Sequence, residues 1–152
     1  VCRVLVGAGA NVRATDDDGW TPLHGSAVAG HVELSRILVR AGANIDAPTG
    51  EDGKTPLHKS VARGHGAVSQ MLVGAGANVH ATDHEGRTPL HCSVVSGLVA
   101  ESQMLVRAGA NVHAADNEGK TPLELAERHC DPILGLLLHE LEPLTKSAAQ
   151  GG

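Results

Sequence analysis

An all-α solenoid of stacked helical units is the fold this sequence predicts, on three observations. TPL triplets begin at Thr21, Thr55, Thr88 and Thr121, in steps of 34, 33 and 33 residues. A fixed period of that size marks units that each bury an apolar face against their neighbours. Each period holds two short helical patterns punctuated by glycine, neither long enough to persist alone in water. The 152 residues include one Trp and no Tyr or Phe. The core is therefore assembled in thin layers of Leu, Val, Ile, Ala and Met, which suit a stack better than one globular centre.

The first complete unit shows the local grammar. Thr21 is an N-cap, and Pro22 fits the first helical turn, where a missing N–H costs nothing. The helix that follows stops at Gly30, where a left-handed residue is wanted. A second helix, about Val32 to Arg40, carries Leu34, Ile37 and Leu38 at helical spacing. It ends before Gly42, and a loop with Asn44 leads into the next unit. Gly64 and Gly97 are the equivalent first stops, and Gly76 and Gly109 the second. Two departures stand out. Pro48-Thr49-Gly50 lengthens one loop by a residue and accounts for the 34-residue step. Glu101 takes the apolar place held by Leu34 and Val68, so either that helix shifts its register, with Leu98 or Val99 filling in, or a polar contact exists there.

The TPLH motifs, the Gly-His pairs at Gly30-His31 and Gly64-His65, and the Gly-Ala-Asn loops resemble the ankyrin repeat over almost the whole chain. The resemblance implies a solenoid of antiparallel helix pairs with hairpin-like loops projecting to one side. It divides the sequence into a single domain over residues 1–143. Within it lie a partial repeat at 1–15, repeats at 16–49, 50–82 and 83–115, and a C-terminal capping repeat at 116–143. In the cap Glu124 replaces the motif His and Cys130 the helix-ending Gly. Residues 144–152 read as a small polar, disordered tail. Val1 falls inside a helical pattern, as expected of an excerpt whose half-unit at residues 1–13 is energetically weak.

Bulk properties narrow the function. Apolar residues make up 41 % of the chain, enough for a folded unit, and the net charge of −5 argues against nucleic acid as the main partner. No apolar run approaches the length of a membrane span. Cys2, Cys92 and Cys130 are too widely spaced for a zinc module or a disulfide framework, so reduced thiols and an intracellular, cytoplasmic or nuclear setting are expected.

The ten histidines raise the question of a metal site. His24, His58 and His91 occupy one position in successive units, but stacked helices lie about 8–10 Å apart, whereas zinc holds ligand nitrogens at about 2.0–2.1 Å. The resemblance gives these residues a structural role instead, bonding their own turn and the next unit, and His31 and His65 are read in the same way. His80, His84 and His113 are loop residues without a convergent partner. Ser26, Ser60 and Ser93 form one column and Ser35, Ser69 and Ser102 another. Six serines in register are not nucleophiles; they read as small contacts whose hydroxyls bond the carbonyl four residues back. Cys92 occurs in one unit only. No catalytic residue, metal or cofactor is expected.

If the repeated positions hold the stack, the exposed positions that vary are free to carry specificity. The loop tips before each TPL are Asp17, Asp18 and Trp20; Glu51, Asp52 and Lys54; His84, Glu85 and Arg87; and Asn117, Glu118 and Lys120. The resemblance implies that these tips and the inner short helices bind a partner, and adds Val28, Ala29, Ala62, Arg63, Val95 and Ser96 at the helix ends. One column of the tips is acidic (Asp18, Asp52, Glu85, Glu118), and the other reads Trp20, Lys54, Arg87, Lys120. The columns are either a mutually screened edge or a track for an extended peptide whose every third residue meets one unit. Trp20 reads either as an interface hot spot or as a packing residue, which the family often has in that slot.

The expected function is therefore a non-enzymatic, monomeric module that binds another protein or an extended peptide, without nucleic acid or membrane insertion. The alternatives are the targeting array of a larger ligase or kinase, and a structural spacer without a specific ligand. Hydroxylation of a loop Asn, a further family possibility, meets Arg13, Asp46, His80 and His113 in the relevant slot.

Overall fold

A computed structural model describes residue 9, residues 11–129 and residues 134–137 of the chain. Most of the partial repeat, with the half-unit expected to be weak, and Cys2, Cys130 and the tail lie outside the described residues.

Among the described residues helices run in the order α1 (Pro22–Ala29), α2 (Val32–Arg40), α3 (Pro56–Ala62), α4 (Gly66–Gly74), α5 (Pro89–Val95), α6 (Val99–Arg107) and α7 (Pro122–His129). Residues 134–137 are also helical, and no strand occurs among the described residues. The helices form two columns. Short helices α1, α3, α5 and α7 pack in sequence along one, and α2, α4 and α6 along the other; α1–α2, α3–α4 and α5–α6 are the pairs within units. This is a helical-repeat solenoid.

Every complete unit starts by the same device. The hydroxyls of Thr21, Thr55 and Thr88 accept from the backbone N–H of His24, His58 and His91, while each histidine ring accepts from the N–H of its own threonine. That reciprocal capping box satisfies two donors the helix leaves orphaned, and the proline that follows has no N–H to satisfy. The first helices end in Schellman geometry. His31, His65 and Leu98 donate their N–H to the carbonyls of Ser26, Ser60 and Ser93 at 2.9–3.0 Å. The turn requires a left-handed residue, supplied by Gly30, Gly64 and Gly97 at φ 76°, 74° and 70°.

Leu23, Leu57 and Leu90 are fully buried, as are Ala27, Val61 and Val94 one turn on and Val68, Leu72 and Leu105 from the second helices. Each layer is thin, but the layers are continuous from unit to unit. Leu34 and Ile37 are only half-buried, and Ser35 shares the buried stripe with Leu38.

The serine columns correct the sequence reading. Ser26, Ser60 and Ser93 bond the carbonyls three residues back, at Leu23, Leu57 and Leu90. Ser69 and Ser102 do reach four back, to His65 and Leu98. The two columns also meet: Ser26–Ser35, Ser60–Ser69 and Ser93–Ser102 are hydrogen-bonded at 2.7–2.8 Å, fully inside the unit. A buried hydroxyl pair joins the two helices of every complete repeat.

Glu101 does not displace its helix. α6 runs from Val99 to Arg107 and α4 from Gly66 to Gly74, the same register one unit on. The Glu101 side chain is nevertheless buried, with Oε1 lying over Gly66, where an added Cβ would stand 3.3 Å away. The absence of a side chain at Gly66 leaves room for it.

Candidate protein-binding face

The loops form four fingers beside the short helices, and an acidic cap shapes each. Asp16 Oδ1 accepts from the N–H of Asp18 and Trp20 at 3.0 and 2.9 Å. Asp83 takes Glu85 and Arg87, and Asp116 takes Glu118 and Lys120, all at 2.9 Å. Burial alone would raise the Asp116 carboxyl, but the two N–H donors outweigh it and hold it below the usual range. In the lengthened finger Thr49 stands where the others have Asp. Asp52 supplies the missing carboxylate, accepting from the Thr49 hydroxyl and from the Lys54 N–H at 3.1 Å. One inserted residue is thus absorbed by moving the acceptor along the chain.

Backbone hydrogen bonds tie finger to finger. Gly50 N–H donates to Asp18 carbonyl at 2.8 Å, His84 to Asp52 at 2.9 Å, and Asn117 to Glu85 at 2.9 Å. The TPLH histidines add a second tie. Each Nδ1 faces its threonine N–H, which only donates, so the other ring nitrogen carries the hydrogen. Nε2 of His24, His58 and His91 accordingly donates to the carbonyls of Lys54, Arg87 and Lys120 at 3.0, 2.9 and 3.0 Å. Burial pushes His24 and His58 below their usual value, keeping them neutral for this task. His65 is also structural but reaches backward, Nε2 meeting the Val28 carbonyl at 2.8 Å. Leu98 fills that place in the next unit, packing over Gly64. His31, His80, His84 and His113 are exposed.

The side chains anticipated at the tips fall into two layers. Asp17, Asp18, Glu51, His84, Glu85, Asn117 and Glu118 are exposed, whereas Trp20, Asp52, Lys54, Arg87 and Lys120 are half-buried. The charged columns neutralise one another within fingers: Lys54 pairs with Asp52 at 3.5 Å, Arg87 with Glu85 at 2.9 Å, and Lys120 with Glu118. Arg87 Nε is buried without a hydrogen bond and faces Asp116 at 3.9 Å. Trp20 breaks the basic column, leaving Asp18 without a cation beside it in its own finger. The indole stacks obliquely on His24, with ring centroids 5.8 Å apart, and Lys59 Nζ sits 4.6 Å above it. The same ammonium bonds Asp52 at 2.9 Å. Burial opposes ionisation of Asp52, but the Thr49 hydroxyl and Lys59 overcome it and depress its carboxyl well below the usual range.

On the short helices, Ala29, Arg63 and Ser96 are exposed, as are Ala62 and Val95. Val95 is the large apolar side chain left most open among the described residues, at 50 %. No group of three His, Cys, Asp or Glu side chains among them converges as a metal would require, and none of their helices is long and apolar enough to cross a membrane.

Fold, capping boxes and finger ties define a repeat-array binding scaffold. The chain belongs to the ankyrin-repeat family: the family described as "Ankyrin repeats (3 copies)" matches residues 1–83 and again residues 66–147. Arrays of this family mediate protein–protein interaction. Curated relatives include protein phosphatase 1 regulatory subunit 27 of mouse, 40 % identical over 45 residues, and its human counterpart, 41 % identical over 45. Each match covers 30 % of this chain and 29 % of the relative's length. A stretch of 45 residues is little more than one 33-residue period, so it carries the grammar of the repeat rather than the identity of a partner.

The finger-closing aspartates, the finger-to-finger bonds and the serine pairs were missed by sequence reasoning. A signal did exist for the first: Asp16, Asp83 and Asp116 stand five residues before the TPL threonines of their units.

Proposed function

We propose that this array binds another protein, or an extended segment of one, non-covalently, through its finger tips and the ends of its short helices. The contact set is Asp17, Asp18, Trp20, Glu51, Asp52, Lys54, Arg63, His84, Glu85, Arg87, Asn117, Glu118 and Lys120. One observation carries the reading. Residues repeated from unit to unit (Thr, Leu, His and Ser of the short helices) are buried and committed to the stack. The residues that differ between units at the tips and helix ends remain wholly or partly exposed. A surface that varies while its support repeats is what a repeat scaffold needs for selective recognition.

The work of such a module is complementarity alone, and it operates inside the cell as a monomer. The test is affinity capture with the intact array beside a variant in which the exposed tip residues are permuted among fingers and the buried framework is untouched. A partner then confirmed with purified components, and retained only by the intact array, supports the reading. Equal retention by both reduces the domain to a spacer or transfers recognition elsewhere.

A further inference from the structure

Between the second and third units, Lys54, Ala62, Arg87, Cys92, Val95 and Ser96 line a shallow open groove. Its floor is apolar in character. Val95 is half exposed, and burial pushes the Cys92 thiol up to about 11, so it stays neutral. Both ionisable side chains on the walls besides that thiol are cations, and no carboxylate lines the groove. Each cation already has carboxylate neighbours, Asp52 at Lys54 and both Glu85 and Asp116 at Arg87. An ammonium has three donors and a guanidinium five, so each can hold a further acceptor.

Resting on the binding role proposed above, we infer that this groove takes an acidic–aliphatic protein segment. An aliphatic side chain sits on Val95 and Ala62, and flanking carboxylates bond Lys54 and Arg87. Chain geometry sharpens the assignment. A β-strand sends residues three apart to opposite faces. A polyproline-II segment returns to the same face every three residues, after about 9 Å, close to the spacing of stacked helices, about 8–10 Å. The occupant is therefore polyproline-II-like, with Asp or Glu three residues apart and the aliphatic residue between them turned towards Val95.

The test is selection of random peptides displayed on phage against the whole chain, followed by anisotropy with a synthetic peptide of the enriched sequence. The expected consensus has an aliphatic residue between Asp or Glu residues three apart. Its affinity falls about tenfold or more in Val95→Asp and in Lys54→Gln/Arg87→Gln, while the melting temperature holds. In a Cys2→Ser/Cys130→Ser background, the peptide also slows alkylation of Cys92. A basic consensus whose binding responds to Glu85→Lys but not to Val95→Asp would overturn the groove assignment and leave the broader binding role standing. Enrichment of nothing above background would overturn the groove assignment too, while the broader binding role stands or falls by capture with the intact and tip-permuted arrays.

Discussion

His58 reaches out of its own repeat to donate Nε2–H to the carbonyl of Arg87, 2.9 Å away and 29 residues on. Its other ring nitrogen accepts from Thr55 N–H at 3.2 Å. One neutral imidazole therefore starts a helix and fixes the next finger. Both tasks require a single tautomer, which protonation destroys.

Acid should loosen the array through these rings. His24 and His58 have folded-state values below the ordinary 6.5, so the unfolded chain binds the proton more readily. Their contribution is complete above about pH 6.5 and is lost as pH falls from there towards the depressed folded values. Thermal melts from pH 8 to pH 5 should show the midpoint falling below about 6.5, by about 2–4 °C for each kcal/mol lost. His58→Gln, which keeps an acceptor and a donor but does not titrate, should flatten part of that slope. An unchanged slope in the variant would remove His58 from the explanation.

The buried serine pairs predict non-additivity. In Ser69→Ala the Ser60 hydroxyl loses its 2.8 Å partner, and a loss of about 1 kcal/mol is expected. Ser60→Ala/Ser69→Ala removes both polar groups and should cost less than the two single changes together. Urea melts of the double-mutant cycle measure the coupling; strict additivity would mean that the pair does not act as a unit.

Two glycines of similar dihedral should differ in their tolerance of a methyl group. Gly86 has φ 75°, and a Cβ there would stand 2.8 Å from the backbone nitrogen of Asn117. Gly109 has φ 96° with nothing within 4 Å of an added Cβ. Gly109→Ala should cost about the left-handed strain, roughly 1–2 kcal/mol. Gly86→Ala should cost more, because the next finger is pushed away. Equal losses in denaturant melts would show that the fingers are not in tight contact.

Trp20 supplies its own reporter. Lys59 lies over its ring and also bonds Asp52, so Lys59→Met should alter the tryptophan emission and weaken the first junction by about 0.5–1 kcal/mol. Trp20→Ala should lower the melting temperature, as expected of a side chain packed on His24. An unchanged emission in Lys59→Met together with unchanged melts in both variants would mean that the indole hangs free.

The sequence disclosed what is local and what repeats. Thr21, Pro22 and Gly30 announce a helix start and stop within a few residues, and the return of the TPL triplet announces stacking. What it concealed depends on packing between segments. Ser60 and Ser69 are nine residues apart, and nothing in either short pattern says that, once the helices pair, these two hydroxyls meet each other. The backward reach of His65 to Val28 and the burial of Glu101 over Gly66 are equally matters of how one unit sits on the last. The two tip columns were legible as charges and as an edge whose members screen one another; which residues pair, Lys54 with Asp52 and Arg87 with Glu85 inside single fingers, was not.

Amide hydrogen exchange in the native chain and in His58→Ala tests the central claim, that each repeat holds the finger of the next. His84 N–H bridges the second and third fingers and Asn117 N–H the third and fourth, so both should be protected in the native chain. In the variant, protection at His84 should fall further than at Asn117. Unprotected amides at both sites, or equal protection at each site before and after the substitution, would contradict it.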